Sequence, residues 1–134
     1  MLDLQNINTW KVLVVDNEPD NCAVIKDVLE FYGVDVVKVA KNGAEGLEVL
    51  EHFKPTLILL DLSMPRMDGW EMLKHLKAKS EAVTASVIAL TAHALPEDQI
   101  RVMAAGFDGY LQKPINVMML LEDLRAVLKR TLLR

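Results

Sequence analysis

Short apolar runs rich in β-branched residues alternate along the chain with longer segments whose apolar residues recur every three or four positions. The first pattern predicts strands and the second predicts amphipathic helices. The predicted strands cover residues 12–15, 34–39, 57–60 and 87–90, with a weaker one around 110–111. A helical segment follows each of them, so the predicted order is a strand and then a helix, five times.

Prolines and glycines mark the limits of the predicted helices, because proline suits a first helical turn and glycine suits the residue after a last turn. The markers are Pro19 and Gly33 for the first helix, Pro55 after the second, Gly69 before the third, Pro96 and Gly106 for the fourth, and Asn116 as the cap of the fifth. Continuous apolar strands joined by helices indicate a parallel sheet covered on both faces. We therefore predict an α/β fold, a doubly wound (βα)5 sandwich whose parallel five-stranded sheet has the flavodoxin-like order 2-1-3-4-5, by analogy with the common five-strand arrangement.

Size and composition fit one domain. The chain has 134 residues, of which 51% are hydrophobic and 25% charged, and its formal net charge of −4 gives no global electrostatic reason for nucleic-acid binding. No apolar run is long enough for a membrane span, and the first residues do not resemble a signal peptide. The single cysteine, Cys22, excludes an intrachain disulfide and fits a reducing, cytoplasmic setting. We expect residues 1–10 to form an N-terminal extension, 11–130 the domain, and 131–134 the end of the last helix.

Four of the predicted strands lead into residues that are able to do chemistry. These residues are Asp16, Asn17 and Glu18 after the first strand, Asp61 after the third, Thr91 after the fourth, and Lys113 after the fifth. The carboxyl ends of parallel strands meet at one edge of the sheet, which is where ligands bind in such folds. We therefore expect these residues to converge.

A phosphoryl-transfer site is the chemistry that this set favours. Asp16 and Asp61 crowd negative charge together, which a hard divalent cation such as Mg²⁺ offsets. With Lys113 and Thr91 beside it, Asp61 is equipped to attack phosphorus and hold an acyl phosphate. Taken singly, each residue has an ordinary explanation as a helix cap, a strand-end hydroxyl or a solvated lysine. Their joint placement favours the site.

The segments KVLVVDNEPDN, LILLDLSMPRMDGWE, VIALTAHA and GYLQKPI, in this order, resemble the receiver domains of two-component response regulators. The resemblance runs from about Lys11 to Arg130 and includes no output domain. The chain looks most like single-domain receivers of the chemotaxis and cell-division types and like receivers attached to hybrid kinases.

The resemblance implies a role for each matching residue. Asp61 would accept a phosphoryl group from a phosphohistidine on a sensor histidine kinase or a histidine phosphotransfer protein. The Mg²⁺ ligands would be Asp16, the residue at position 17, Asp61 and the backbone carbonyl of Ser63. Lys113 would bind a phosphoryl oxygen, and its bond to Pro114 is commonly cis in this family.

The resemblance also implies a switch. Thr91 and Tyr110 would relay phosphorylation to the face built from the fourth helix, the fifth strand and the fifth helix, which binds an unknown downstream protein. Ser63 and His93 occupy positions that tune rates in this family. A short Ser63 would leave the path of the attacking water open, whereas His93 would obstruct or orient that water, or is an exposed loop histidine. Such a domain catalyses its own phosphorylation and dephosphorylation weakly and is chiefly a switch.

Asn17 departs from the family pattern, because a second acid is usual at this position. An amide oxygen still ligates Mg²⁺, but one negative charge is missing, so we expect weaker Mg²⁺ binding. Glu18 either compensates through a water molecule or, as the preferred interpretation, is a surface glutamate.

Other functions remain open at this stage. One is a protein-interaction module that no longer depends on phosphorylation, with Asn17 as its first sign of decay. A phosphatase of the haloacid-dehalogenase type is less favoured, because Ser63 stands where those enzymes have a second acid, and a flavodoxin-like cofactor protein is weaker still. In the last helix, Met118, Met119 and Leu132 or Leu133 either extend a docking or homodimer face or belong to core packing and a frayed end.

Overall fold

The computed structural model describes residues 2–78, 84–92 and 95–132. Within them, five strands and five α-helices alternate along the chain. The elements are β1 (Lys11–Val15), α1 (Pro19–Phe31), β2 (Val36–Ala40), α2 (Gly43–Leu50), β3 (Leu57–Asp61), α3 (Gly69–Ala78), β4 (Ser86–Thr91), α4 (Pro96–Ala105), β5 (Gly109–Gln112) and α5 (Leu120–Leu132). A short 3-10 helix, Ile7–Thr9, precedes β1.

The five strands form one parallel sheet in the order β2-β1-β3-β4-β5, which confirms the predicted fold and strand order. Every residue of the central strand β3 is buried. A strand that has helices on both faces has no solvated side, and this is why its sequence is a continuous apolar run rather than an alternating one.

The side chains of the sheet divide between two hydrophobic clusters, one on each face. On β3, Leu57 and Leu59 belong to the cluster that α1 and α5 cover, whereas Ile58 and Leu60 belong to the cluster that contains α3 residues. This alternation follows from the two-residue period of a strand. The two clusters fix the sheet between its helices, so the positions of the strand ends are set by the core.

Two predicted boundaries are wrong by a few residues. The second strand begins at Val36 rather than at 34, because Gly33 turns the chain at a φ of +103° and the Val34 amide donates to the Leu29 carbonyl at 2.9 Å. The final helix begins at Leu120 rather than just after Asn116, whose side chain instead accepts a hydrogen bond from the Met118 amide within a turn. In both places local hydrogen bonding of a turn outweighs the apolar pattern.

The N-terminal segment packs against the rest of the fold. Leu2 and Trp10 are buried in the cluster beneath α1 and α5, and Leu4 and Ile7 pack against that cluster. The Trp10 indole Nε1 donates to the Asp3 carbonyl at 2.6 Å, which satisfies the polar atom of a buried ring. In the described part of the chain, no helix has the length and the apolar character needed to cross a membrane.

Candidate functional site

The structure brings polar residues from four strand ends to one edge of the sheet. The Lys113 ammonium nitrogen lies 3.0 Å from Asp16 Oδ2 and 3.2 Å from Asp61 Oδ2. Thr91 is buried at the end of β4, and its carbonyl accepts a hydrogen bond of 2.7 Å from the Lys113 amide. The parallel register places these residues together even though they are far apart in sequence.

Asp61 lies at the end of β3, and only one of its two carboxylate oxygens accepts a hydrogen bond from the described residues. Its Oδ1 accepts a hydrogen bond from the Ser63 amide at 3.2 Å. Its Oδ2 is buried and has no hydrogen-bond partner among the described residues, so that its contact with Lys113 is an ion pair. A carboxylate oxygen accepts more than one contact, so this atom can also bind a further ligand such as a cation.

The ionisation of the site reflects burial and close charges. Burial raises the pKa of Asp61 to about 6, and the negative charge of Asp16 adds to that effect, while the Ser63 amide and Lys113 oppose it. Burial alone would lower the pKa of Lys113, but Asp16 and Asp61 outweigh burial, and the net pKa is raised. At neutral pH, therefore, Lys113 is charged and Asp61 is mostly ionised.

The loop after β3 folds back on Asp61. A β-carbon at Gly69 would meet the Asp61 carbonyl oxygen and would lie 3.0 Å from the Asp61 carbonyl carbon, so only glycine fits at this approach. Arg66 turns the loop with a φ of +66°. Asp68 then caps the start of α3, because its Oδ1 accepts a hydrogen bond of 2.9 Å from the Glu71 amide. The loop thus ties the backbone of Asp61 to the start of the next helix.

The loop after β1 contributes a further carboxylate. Asp16 is buried, and its Oδ1 accepts a hydrogen bond of 2.9 Å from the Glu18 amide. Glu18 Oε1 lies 3.2 Å from the Lys113 ammonium nitrogen, although 60% of the Glu18 side chain is exposed. Glu18 is therefore exposed at the edge where the strand-end residues were expected to converge, but its direct contact with Lys113 was not predicted from the sequence.

The residues at this edge fit a hard divalent cation. Asp16, Glu18 and Asp61 each offer a carboxylate oxygen, and these oxygens lie within 4.8 Å of one another. The exposed Asn17 and Ser63 also line the same cleft. Carboxylate, amide and carbonyl oxygens are the ligands that Mg²⁺ prefers, and the buried Asp61 Oδ2 atom that lacks a hydrogen bond is a suitable ligand atom.

The site opens into a cleft of about 600 Å³. Asp61, Thr91 and Lys113 line its inner end, and the cleft continues between the start of α3 and α4. There the Trp70 ring packs edge-on against Phe107, and the Arg101 guanidinium lies 5.1 Å from the centre of the Trp70 ring. The cleft is therefore polar where it meets the sheet and partly aromatic beyond it.

The other candidate residues are distributed as follows. Tyr110 is half-buried on β5 and lines a second groove of about 700 Å³ between α4 and α5. His93 lies outside the described residues. The Lys113–Pro114 peptide bond is cis, as the resemblance implied. Met118 and Met119 are exposed in the turn before α5 and thus do not belong to the helix that was predicted to contain them; Leu133 lies outside the described residues.

Comparison with known proteins yields one family. The family model described as the response regulator receiver domain matches residues 12–125. The chain is 37% identical over 113 residues to an uncharacterized 14.6 kDa protein encoded in the sodA1 3′ region of Leptolyngbya boryana, covering 84% of this chain and 86% of that protein. It is 32% identical over 117 residues to the polar-differentiation response regulator DivK of Brucella anthropi, covering 87% of this chain and 94% of DivK. The solved structure of the chemotaxis response regulator CheY4 of Vibrio cholerae matches with a TM-score of 0.80 and 30% identity, covering 88% of this chain and 98% of that chain.

Proposed function

Because this chain belongs to the family of response regulator receiver domains, the phospho-acceptor switches of two-component signalling, we propose that Asp61 is the residue that accepts the phosphoryl group. One observation carries this proposal. Asp61 Oδ2 is buried, lacks a hydrogen bond among the described residues, and belongs to a residue that lines the cleft. A carboxylate in this state is held rigidly by its strand and is available to form a new bond.

The proposed reaction is a phosphoryl transfer from histidine to aspartate. An oxygen of Asp61 attacks the phosphorus of a phosphohistidine, a P–O bond forms, and the P–N bond breaks with its electron pair returning to the imidazole. Lys113, whose ammonium lies 3.2 Å from Asp61 Oδ2, offsets the charge that develops on the phosphoryl oxygens. The Thr91 hydroxyl donates to the transferred group from the end of β4. Water later hydrolyses the acyl phosphate, so that catalysis by the domain is limited to its own phosphorylation and dephosphorylation.

We assign Mg²⁺ as the cofactor. Its ligands would be Asp16, Asn17, Asp61 and the backbone carbonyl of Ser63, which come from the last residue of β3 and from the loops that follow β1 and β3. The ion supplies positive charge that lowers the repulsion between the carboxylates and an incoming phosphoryl group. The close approach of Asp16 and Asp61 to a single lysine supports this assignment, because the acidic charge exceeds the charge of that ammonium.

We assign the switch to Thr91 and Tyr110. Thr91 pairs in register with Gln112 of β5, and Tyr110 lies two residues earlier on that strand. A shift of Thr91 would therefore displace β5, which carries Tyr110. Tyr110 lines the groove between α4 and α5, where Ile100 is 70% exposed. An exposed apolar side chain beside a groove suits a protein partner, so this face is the proposed docking site for the downstream protein.

Two residues are proposed to tune the lifetime of the acyl phosphate. Ser63 is exposed beside Asp61, and its short side chain leaves room for a water molecule to reach the phosphorus. His93 follows Thr91 by two residues in the sequence and is proposed to obstruct or orient that water.

Partners, boundaries and location complete the proposal. The phosphoryl donor would be a sensor histidine kinase or a histidine phosphotransfer protein, and a homodimer through the last helix is a further proposal. The receiver domain is assigned to residues 11–130, which include the residues 12–125 that match the family model. A cytoplasmic location is proposed in keeping with the single cysteine, which fits a reducing setting.

Uptake of a phosphoryl group tests the proposed function. Acetyl phosphate and Mg²⁺ should add one phosphoryl group to the native chain, as measured by intact mass, and none to Asp61→Asn. The matched control is Asp68→Asn, which removes a carboxylate from the same cleft and should still take up the group. A native chain that gains no mass, and shows no spectral change with beryllofluoride, would instead favour an interaction module that does not depend on phosphorylation.

A further inference from the structure

The loop after β1 places the carboxylate of Glu18 at the acidic cluster. The Glu18 amide donates to Asp16 Oδ1 at 2.9 Å, and the next residue, Pro19, begins α1. The chain direction is therefore fixed on both sides of Glu18. Its side chain lines the cleft, with Oε1 3.2 Å from the Lys113 ammonium nitrogen.

We propose that Glu18 supplies the second negative charge of the loop at the divalent-cation site, the charge that Asn17 lacks. This inference rests on the proposed function, because it concerns the same cation. Asn17 is exposed and carries a neutral amide, so its oxygen contributes a dipole rather than a charge. Glu18 is the next residue in the loop, and its carboxylate oxygen lies within 4.8 Å of ligand oxygens of Asp16 and Asp61.

The balance of charges indicates that Glu18 binds a cation and does not serve only as an ion-pair partner of Lys113. Among the described residues, Lys113 is the one basic side chain in ion-pair contact with this cluster, and it faces three carboxylates. A pair between Lys113 and a largely exposed glutamate contributes little by itself. Two negative charges remain, and a divalent cation would balance them.

The buried oxygen of Asp61 is the independent observation. Asp61 Oδ2 is buried, lacks a hydrogen bond among the described residues, and belongs to a residue of the same carboxylate cluster as Glu18. Among the described residues this buried oxygen is held by an ion pair alone, and exposed acidic groups that merely share a surface contain no such atom. Glu18 lies at the solvent side of this atom, where it can contact the cation directly or through one of the water molecules that Mg²⁺ retains.

Mg²⁺ titration by calorimetry tests the inference without using phosphorylation as its readout. Glu18→Gln keeps the size of the side chain and removes the charge, and it should weaken Mg²⁺ binding by about tenfold or more. The matched control is Asp20→Asn, which makes the same change of net charge on an exposed residue in the first turn of α1. Its affinity should stay within about twofold of the native value, because Asp20 is exposed and is not one of the clustered carboxylates.

A second variant separates charge from other effects of Glu18. Asn17→Asp in the Glu18→Gln background returns one negative charge to the loop and should restore most of the lost affinity. Equal Mg²⁺ affinities for the native chain and Glu18→Gln, or equal losses in Glu18→Gln and Asp20→Asn, would overturn the inference. The mass gain of the native chain with acetyl phosphate is measured on the same preparation. Its absence overturns the proposed function, whereas its presence with an unchanged Glu18→Gln affinity overturns only the role of Glu18.

Discussion

Gly69 is in direct contact with the backbone carbonyl of Asp61, at a separation that leaves no room for a β-carbon. The Gly69 amide also donates to the Leu62 carbonyl at 3.3 Å, so the intervening loop is closed at its base. The phospho-acceptor proposed here is consequently held from two directions, by the ladder of β3 and by the first residue of α3. The glycine of the MDGW stretch thus helps to fix where the Asp61 carboxylate lies.

Gly69→Ala should disturb both the stability and the site. The new β-carbon would push against the Asp61 backbone, and overpacking of this kind typically costs about 2 kcal/mol. We expect a lower urea midpoint and a slower mass gain with acetyl phosphate. Gly33→Ala is the control, because Gly33 has a positive φ but no atom near its missing β-carbon and lies at the far end of α1. Gly33→Ala should lower stability alone, and a similar loss of phosphoryl uptake in both variants would contradict this account.

Asp61→Asn should stabilise the metal-free protein at neutral pH. The pKa of Asp61 is raised from an ordinary value of 3.8 to about 6 in the folded chain. Between these values the unfolded chain loses its proton first, so this carboxyl lowers the stability progressively as pH rises, and its full cost is present above about pH 6. Removing the charge should therefore raise the free energy of unfolding at pH 7.5 by up to about 3 kcal/mol, and by almost nothing below about pH 4.

Urea unfolding in the presence of a chelator, at both pH values, measures this difference. Asp20→Asn serves as the control, since it makes the same chemical change at an exposed carboxylate. A stabilisation by Asp61→Asn that is the same at pH 4 and pH 7.5 would show that lost charge is not its cause.

Lys113→Gln should destabilise the protein strongly at neutral pH. The substitution leaves the carboxylates of Asp16 and Asp61 buried without their ammonium partner, and breaking a buried ion pair typically costs about 3–5 kcal/mol. Lys26→Gln breaks a surface pair with Glu30 of similar length, 2.9 Å, and should cost no more than about 0.5 kcal/mol. Thermal unfolding of the two variants gives the comparison. Saturating Mg²⁺ should recover part of the loss in Lys113→Gln only.

The fluorescence of Trp70 should report events in the cleft. Its ring lines the same cleft as Asp61 and lies beneath the Arg101 guanidinium on α4, so a shift of α4 would change its surroundings. We expect beryllofluoride with Mg²⁺ to alter the emission of the native chain and of Trp10→Phe, but not that of Trp70→Phe. Arg101→Met should reduce the change. Emission changes that survive Trp70→Phe would assign the signal to Trp10, which is buried away from the cleft.

The sequence was sufficient for the fold because its main signal is local. Apolar runs such as that of β3 are continuous only where a strand is buried on both faces, and the alternation with helices then determines the fold class. The strand ends that carry Asp16, Asp61, Thr91 and Lys113 follow from the same pattern. The strand order rested on analogy, since no local pattern states which strands are neighbours.

Contacts that depend on side-chain direction were not accessible from the sequence. Glu18 follows Asn17 in a polar loop, and nothing local shows that its carboxylate turns towards Lys113. The stacking of Arg101 on Trp70 joins two helices and depends on how both pack against the sheet. Element boundaries were predicted wrongly where a hydrogen bond in a turn shifts them away from the apolar pattern. The hydrogen bond between the Val34 amide and the Leu29 carbonyl, before β2, is an example.

The N-terminal segment shows that the family match and the folded unit begin at different residues. The family model begins at residue 12, yet Trp10 is 1% exposed and Leu2 is 7% exposed, both within the same hydrophobic cluster as β1 residues. A chain shortened to start at residue 12 would retain every residue of the proposed phosphorylation chemistry. It would lose the buried side chains of Leu2 and Trp10 from its core. The unit that carries the chemistry is therefore shorter than the unit that folds, and the catalytic competence of a shortened chain would be limited by its lifetime in solution.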